Sequence, residues 1–247
     1  MARRLRLHLI VAIILCYQSL CFAAVEDFTT YTEVDSDSKL VVLSTTATLT
    51  LGNTRGQDYG ARKDAGAGHF GDFTHLVTGI ATNMSASPNI PRFGWELLSN
   101  VTGDMEDASV NTHGVSLMIR DGDYLIYVTD WSDDSEDFYD ATNATSYYCT
   151  FSRSSTTLQA LIYSDSGRTS LLDTISTTCE TTTYQYLTVA ASQNTAGTAS
   201  VTSVVSDLDL QEAGGSSIKT VNGLAVASVK TKNGLAIASV KTINGLQ

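Results

Sequence analysis

Proline and cysteine are both scarce in this sequence, which has two prolines and four cysteines in 247 residues. Two of the cysteines fall within the first 23 residues, so that only Cys149 and Cys179 belong to the remainder. Two half-cystines do not amount to the disulfide framework that stabilises many small secreted domains. The remainder, about 224 residues long, is instead long enough to bury one sizeable apolar core.

Positive charge is also scarce between the two ends of the chain. The formal net charge is −11, with 15 Lys and Arg against 26 Asp and Glu. Residues 1–23 carry +3 and the last thirty carry +4, which leaves −18 on the stretch between them. Because so acidic a surface repels phosphate backbones, nucleic acid is excluded as a partner.

A long apolar run is missing as well. The N-terminus has three arginines (Arg3, Arg4 and Arg6), a short apolar segment at 9–15, and small residues leading to Ala23. This order is typical of a secretory signal peptide over residues 1–23. The alternative is an uncleaved anchor, but the segment falls short of the roughly 20 apolar residues of a spanning helix. We therefore expect a secreted, extracellular protein of a cell surface or virion, with no stable membrane span after cleavage.

Strand-forming residues are abundant, and short runs alternate between apolar and polar residues with Gly, Asn, Asp and Ser between them. The pattern predicts eleven strands, at 40–43, 47–51, 73–82, 93–98, 115–120, 124–129, 147–153, 158–163, 171–177, 184–191 and 201–210. Asp121-Gly122 predicts a two-residue hairpin turn. Strands of this number and spacing predict an all-β fold, an antiparallel β-sandwich or jelly roll.

Cys149 and Cys179 lie in a segment that is predicted to run as consecutive antiparallel strands. Such strands would place the two residues at opposite ends of a sheet, where they cannot pair. Export would permit a disulfide, and this alternative stays open. The pattern favours two separate, partly buried thiols.

The C-terminal residues form an internal repeat. After a flexible break at 213–217, the sequence repeats with a period of eleven over 218–247: IKTVNGLAVAS, VKTKNGLAIAS and VKTINGLQ. Each copy has an Asn-Gly pair, which is typical of a type I′ turn. The pairs are Asn222-Gly223, Asn233-Gly234 and Asn244-Gly245. We expect a short β-meander or stack of β-arcs that docks on the body, another chain or a larger assembly, because it has little to bury alone.

The segment 147–178 (YYCTFSRSSTTLQALIYSDSGRTSLLDTISTT) resembles the three-strand meander of concanavalin A-like, or laminin G-like, jelly rolls. VVSDLDLQE at 204–212 resembles the last strand of that superfamily, and DFTTYTEVD at 27–35 its opening. The resemblance implies one concanavalin A-like sandwich over 24–212. The superfamily includes lectins, glucanases, adhesive modules and virion fibre domains, so that it implies a fold without a function. The tail is similar to NGLA-type repeats of phage and metagenomic surface proteins.

Catalytic patterns are missing from the sequence. Glucanases of that superfamily carry carboxylates at alternate positions of one strand, where a nucleophile and an acid share a face. The sequence has no such Glu-x-Asp run, and its seven glutamates outside the leader are scattered. It has no G-x-S-x-G, and its histidines outside the leader (His69, His75 and His113) lack the spacing of zinc ligands. We therefore expect a protein that is not an enzyme.

An acidic stretch at 130–140, DWSDDSEDFYD, follows a predicted strand and is interpreted as a loop. It has six acids in eleven residues, and calcium prefers several oxygen ligands on a flexible loop. The candidate calcium ligands are Asp130, Asp133, Asp134, Glu136 and Asp137. The alternative is a solvated acidic loop, since the spacing matches neither an EF-hand nor the metal loop of legume lectins. Calcium is thus a candidate, and no cofactor is certain.

Two aromatic residues of the same stretch, Trp131 and Tyr139, are candidate contacts for a sugar. Sugar C–H patches pack on aromatic rings while hydroxyls hydrogen-bond to nearby polar groups. The alternative for Trp131 is a place at the edge of the core, and Trp95 is expected inside it. The sequence predicts a non-enzymatic adhesive module that binds a glycan or cell-surface polysaccharide and is anchored, or assembled as a homo-oligomer or larger structure, through 218–247. The alternative function is a structural subunit of an extracellular filament, coat or virion appendage.

Overall fold

The computed structural model describes residues 25–35, 38–52, 58–84, 91–100, 114–120, 124–194 and 200–211, and short pieces at 220–221, 224–225, 231–232 and 235–236. The chain forms two compact units, Met1–Gln211 and Glu212–Gln247, which we call the body and the tail. Among the described residues, no helix has the length and apolar character needed to cross a membrane.

The body is built from two antiparallel sheets of seven strands each. The strands of sheet A are Leu40–Val42 (β2), Thr46–Gly52 (β3), Phe73–Met84 (β5), Tyr147–Ser154 (β10), Thr157–Tyr163 (β11), Leu171–Thr178 (β12) and Ser200–Asp209 (β14). Those of sheet B are Thr32–Asp35 (β1), Asp58–Asp64 (β4), Pro91–Ser99 (β6), Gly114–Arg120 (β7), Leu125–Asp130 (β8), Ser135–Asp140 (β9) and Tyr186–Asn194 (β13). The spatial order is β12-β11-β10-β5-β14-β3-β2 in sheet A and β1-β4-β13-β6-β7-β8-β9 in sheet B. The predicted all-β antiparallel sandwich is confirmed.

Two-residue alternation places one face of each strand in the space between the sheets. The buried residues of β10 and β11 are Tyr147, Cys149, Phe151, Arg153, Leu158, Ala160 and Ile162. Their apolar members belong to one core together with residues of sheet B such as Leu117 and Ile126. The alternation of these two strands thus places one side of each in the core.

Trp95 on β6 is fully buried in this core, as the sequence predicts. Its indole ring lies against the backbone of Gly79 on β5, so that a β-carbon at position 79 would overlap the ring. A residue without a β-carbon is thus required where the two sheets approach each other at this point.

The first and last described segments of the body lie side by side. Val25 forms an antiparallel β-bridge with Asp209, and the backbone N–H of Glu26 donates to the carbonyl of Leu208 at 2.8 Å. The Glu26 carboxylate also accepts a hydrogen bond from Lys63 Nζ at 2.6 Å. These contacts attach the beginning of the described body to its end.

All eleven predicted strands are present, with ends that differ by up to three residues from the predicted ones. Three further strands, β1, β4 and β9, are not predicted. Their sequences are TEVD, DYGARKD and SEDFYD, and charged residues are depleted in strands generally. Pairing with neighbouring strands outweighs that weak local preference here.

The connection between β7 and β8 is longer than Asp121-Gly122 predicts. The last pair of these strands is Arg120 with Leu125, which leaves four residues between them. Tyr124 has a φ of 58°, a left-handed conformation that does not continue a strand. The prediction of a two-residue turn is wrong, since Tyr124 belongs to the connection. Asp121 and Gly122 themselves lie outside the described residues.

Cys149 and Cys179 are both buried and both free. Cys149 is paired with Ile162, and Ile162 with Asp173, which lies six residues before Cys179 in the chain. Six residues of extended chain span about 20 Å, whereas a disulfide requires two Cα atoms within about 7 Å. The prediction of two separate thiols is confirmed.

In the tail, Thr220–Val221 (β15) pairs with Leu224–Ala225 (β16), and Thr231–Lys232 (β17) pairs with Leu235–Ala236 (β18). Each pairing leaves two residues in the connection, which is the length of the hairpin turn predicted for the first two copies. The predicted turn residues lie outside the described residues: Asn222, Gly223, Asn233, Gly234, Asn244 and Gly245.

Candidate ligand-binding face

The acidic stretch at 130–140 is not a single loop. β8 ends at Asp130, residues 131–134 form a turn, and β9 follows at the edge of sheet B. β9 pairs with β8 along its whole length, and the exposure of its residues alternates. The predicted loop is therefore wrong for 135–140, because the sequence SEDFYD forms an edge strand with one partly buried and one exposed face.

Asp130 is fully buried at the end of β8. Its Oδ1 accepts hydrogen bonds from the backbone N–H and the hydroxyl of Ser132, at 2.8 and 2.6 Å. Its Oδ2 accepts one from the backbone N–H of Glu180 at 2.8 Å. Both oxygens are thus occupied, and Asp130 ties the turn at 131–134 to the segment that follows β12.

Glu136 forms a two-point ion pair with Arg120 on β7, and both N–O distances are 2.9 Å. The Arg120 guanidinium lies 3.8 Å from the centroid of the Tyr127 ring, on the strand between them. Burial lowers the pKa of Arg120, but the hydrogen bonds to Glu136 and Tyr127 outweigh burial and raise the pKa overall. Arg120 therefore stays charged, and it is held across β8 by both neighbours.

Asp137 lies on the opposite face of β9. Its Oδ2 accepts a hydrogen bond from the backbone N–H of Ser176 on β12 at 2.9 Å. The Ser135 hydroxyl, on the same face, contacts the hydroxyl of Thr177. β9 and β12 are edge strands of different sheets, so that these contacts close one side of the sandwich.

The five acids predicted as calcium ligands are not gathered around one point. Asp130, Glu136 and Asp137 accept hydrogen bonds from the protein, whereas Asp133 and Asp134 are exposed in the turn. Among the described residues, no group of three or more His, Cys, Asp or Glu could hold a metal ion. Calcium binding stays a prediction from sequence, and the described carboxylates do not fit it.

The two aromatic residues predicted to contact a sugar lie on opposite faces of sheet B. Trp131 is 8% exposed, and its Nε1 donates to the hydroxyl of Ser116 at 3.1 Å. Trp131 packs in a small cluster on the outer face of the sheet, whereas Tyr139 packs against the core between the sheets. The two rings do not form one surface. A sugar contact by both stays a prediction that this placement does not favour.

Phe138 is an exposed aromatic ring of the same stretch. It is 51% exposed on the outer face of β9, and its centroid lies 5.4 Å from that of Tyr127. Glu136 and Asp140 lie two positions before and after it, on the same face of the strand. We call the surface formed by Arg120, Tyr127, Glu136, Phe138 and Asp140 the Phe138 face.

A second apolar cluster lies on the outer face of sheet B and shares Tyr127 with the Phe138 face. It consists of Leu97, Met118, Tyr127 and Trp131, with Leu125 packed against it. Thr129 lies between Ser116 and Glu136 in register and is fully buried. Its hydroxyl has no hydrogen-bond partner in the described part of the chain. The Phe138 ring is therefore held on a paired strand, against one member of a packed cluster, Tyr127.

His75 and Glu96 form another acid–base contact, but inside the core. His75 Nδ1 is hydrogen-bonded to Glu96 Oε1, and the two side chains are 2% and 0% exposed. Because solvent does not reach either side chain, the pair joins the two sheets and does not form a ligand site.

Comparisons with known proteins give only distant similarities. No protein-family model matches the chain, and no curated protein matches it significantly. The Ca²⁺- and Man2-bound exoplasmic/lumenal domain of VIP36 is similar with a TM-score of 0.47 at 11% identity, over 74% of this chain and 80% of that one. A protein of unknown function from Shewanella oneidensis MR-1 gives 0.47 at 14%, over 77% and 80%. Lectin II from Ulex europaeus gives 0.38 at 13%, over 70% and 86%. Similarities of this size assign the chain to no family and no ligand.

Sequence reasoning overlooks Phe138 and Arg120. The signal that identifies them is the alternation of SEDFYD, since positions 136, 138 and 140 share one face of a strand. Arg120 is level with Leu125 and Asp140 in the register of sheet B, so that its contact with Glu136 runs diagonally across β8. If residues 135–140 are interpreted as a loop, neither the shared face of positions 136, 138 and 140 nor the contact of Arg120 with Glu136 is expected.

Proposed function

We propose that this chain is a non-enzymatic glycan-binding module and that the glycan packs on the Phe138 face. The observation that carries the proposal is the half-exposed Phe138 ring on a paired strand, with Glu136 and Asp140 on either side. The ring offers an apolar platform to sugar C–H groups, and carboxylates accept hydrogen bonds from sugar hydroxyls. Tyr127 and Arg120 hold this arrangement before a ligand arrives, which lowers the entropic cost of binding.

The pairing of the carboxylates supports binding rather than hydrolysis. A glycosidase needs one carboxyl group as acid and a second as nucleophile or base. The carboxylates of this face are Glu136 and Asp140. Phe138 stands between them, and Arg120 neutralises Glu136. No acid and nucleophile are therefore paired at this face.

An exported location and a role for the tail complete the proposal. The arginine-rich and apolar N-terminal residues support secretion to a cell surface or virion, where polysaccharides are available as partners. The repeated Asn-Gly pairs and the two described hairpin pairings support attachment or assembly through residues 218–247.

The proposal predicts that Phe138→Ala weakens polysaccharide binding about tenfold, because the ring supplies the apolar contact. Affinity electrophoresis of the mature protein against a broad panel of polysaccharides measures this. Val41→Ala is the matched control, since Val41 is 58% exposed on β2 of sheet A, far from the face in strand order. A parent protein that binds nothing in the panel contradicts the proposal, as does a Phe138→Ala protein that binds like the parent.

A structural subunit of a filament, coat or appendage is the second candidate, and the tail favours it. Short repeated hairpins present backbone groups with which strands of other copies can pair. Sedimentation of the mature protein should then show self-association that disappears when residues 218–247 are deleted. A mature protein that is monomeric both with and without the tail would exclude this role.

A further inference from the structure

The charges of the Phe138 face are not balanced. Arg120 is engaged by both Glu136 and Tyr127. Asp140 is exposed beside Phe138 and, among the described residues, has no hydrogen-bond or ion-pair partner. Asp133 and Asp134 are exposed in the preceding turn, and the stretch between leader and tail carries −18. The face thus has a negative potential, and its one cation is already paired.

A second feature of this region is a buried hydroxyl that lacks a hydrogen-bond partner within the described ranges, that of Thr129. Thr129 pairs with Glu136 in the register of β8 and β9, and its side chain points to the same outer face. It is fully buried, and its hydroxyl has no hydrogen-bond partner in this part of the structure. Buried polar groups in folded proteins are nearly always paired. The unpaired hydroxyl beside Glu136 departs from this rule, and such departures are expected near functional sites.

These charges discriminate between classes of glycan. A polyuronate would be repelled by Asp140 and would find Arg120 occupied. A neutral glycan would gain only the ring contact and hydrogen bonds. A sugar with a free amino group would add an ion pair, and a cation near an aromatic ring is attracted to its face as well. Phe138 and Asp140 are about 7 Å apart along the strand, a distance that one sugar unit can bridge.

We infer that the Phe138 face binds glycans that carry free amino groups, with a sugar ring packed on Phe138 and its ammonium group paired with Asp140. This inference rests on the proposed glycan-binding function and narrows it to one ligand class.

Chitosan and chitin oligosaccharides of equal length are the matched probes, because they differ only in N-acetylation. Isothermal titration of the mature full chain at low salt is expected to show about threefold tighter binding of the chitosan oligomer, the size expected of one exposed ion pair. The preference should shrink as salt is added. Asp140→Asn should remove this preference, so that the ratio of the two affinities, measured in each variant, falls to about one. Glu33→Gln removes the same charge from β1, at the opposite edge of sheet B, and should keep the preference.

The outcomes separate this inference from the function on which it rests. Equal affinity for the two oligomers overturns the inference and leaves glycan binding intact. Failure of both to bind also overturns it, and the polysaccharide panel then shows independently whether another glycan binds. A preference for chitosan that survives Asp140→Asn reveals attraction to the overall charge of the protein and overturns the inference. Oligolysine is a cation without a sugar ring, and its binding serves as a second test: if Phe138→Ala does not weaken it, overall charge again explains the attraction and the inference is overturned.

Discussion

The contact between His75 on β5 and Glu96 on β6 joins the two sheets through residues that are 1% and 0% exposed. The rings of Phe70 and Phe73 flank the imidazole, with centroids 5.7 and 4.6 Å away. In surroundings this apolar, each polar group depends on the other, because removing one leaves its partner buried and unpaired.

Glu96→Ala is therefore expected to lower the free energy of unfolding by about 3–5 kcal/mol. Glu96→Gln keeps an oxygen for the contact and should cost less. The double variant His75→Leu/Glu96→Leu replaces both groups by apolar ones and should recover most of the loss. Urea unfolding followed by tryptophan fluorescence compares the three. A loss of less than about 1 kcal/mol in Glu96→Ala would show that the protein does not rely on this contact.

Individual side chains differ in how far the sequence predicts their roles. The burial of Cys149 and Phe151 follows from the alternation of apolar and polar residues along β10, which is visible in the sequence. The burial of Trp131 depends on Leu97 and Met118, which come from strands distant in sequence. Local pattern holds no information on such contacts, so that the sequence alone leaves two roles open for Trp131, a sugar contact and a place at the edge of the core.

Among the elements, β9 and β12 show how the open edges of the two sheets are protected. An edge strand presents unpaired backbone groups that another chain can use for pairing. The N–H of Ser176 on β12 donates to Asp137 of β9, and the N–H of Thr174 donates to the carboxylate of Asp173 at 2.7 Å. Both carboxylates occupy donors that an added strand would need.

Asp137→Ala/Asp173→Ala is expected to lower the free energy of unfolding by about 2 kcal/mol, since two hydrogen bonds are lost. It should also promote edge-to-edge association, because β12 then has free donors. Sedimentation velocity over a series of protein concentrations measures the association. Asp140→Ala is the control, since it removes a carboxylate of β9 that caps no described donor. A double variant that associates no more than this control would rule out a protective role.

The elements also show which parts of the fold can be predicted from the sequence. The hairpin of β10 and β11 is predictable because apolar and polar residues alternate along both strands and turn residues separate the runs. β12 has no such alternation, since Leu171 and Leu172 are both exposed. β9 is not predictable, because four of its six residues are acidic or serine and its pairing with β8 supplies the stability that its composition lacks. The predicted length of the connection between β7 and β8 is wrong for a related reason. A favourable Asp-Gly pair does not determine at which residues the pairing of the two strands ends.

At the scale of the whole molecule, Cys149 and Cys179 remain two buried thiols and do not form a disulfide. Burial raises the pKa of Cys149 from 9.0 to about 12 and that of Cys179 to about 11. In the folded protein both groups are therefore protonated at neutral pH, and it is the thiolate that reacts with oxidants and disulfides. The fold thereby shields both cysteines from oxidants.

The native protein is accordingly expected to react very slowly with a disulfide reagent such as DTNB and to release both thiols in urea. Unfolded thiols ionise near pH 9, whereas the folded ones hold their protons to about pH 11. The unfolded state then binds fewer protons, so that the free energy of unfolding should fall as the pH rises from 9 to 11. The variants Cys149→Ser and Cys179→Ser assign each reaction. A full equivalent of fast-reacting thiol in the native protein would contradict this.

The bridge between Val25 and Asp209 places the first and last described segments of the body next to each other. A short linker from one to the other would span only a few ångströms, and the chain could then be opened at an exposed turn elsewhere. Such a circular permutant would keep every strand pair of both sheets. The order in which the strands are synthesised is therefore separable from the order in which they pair.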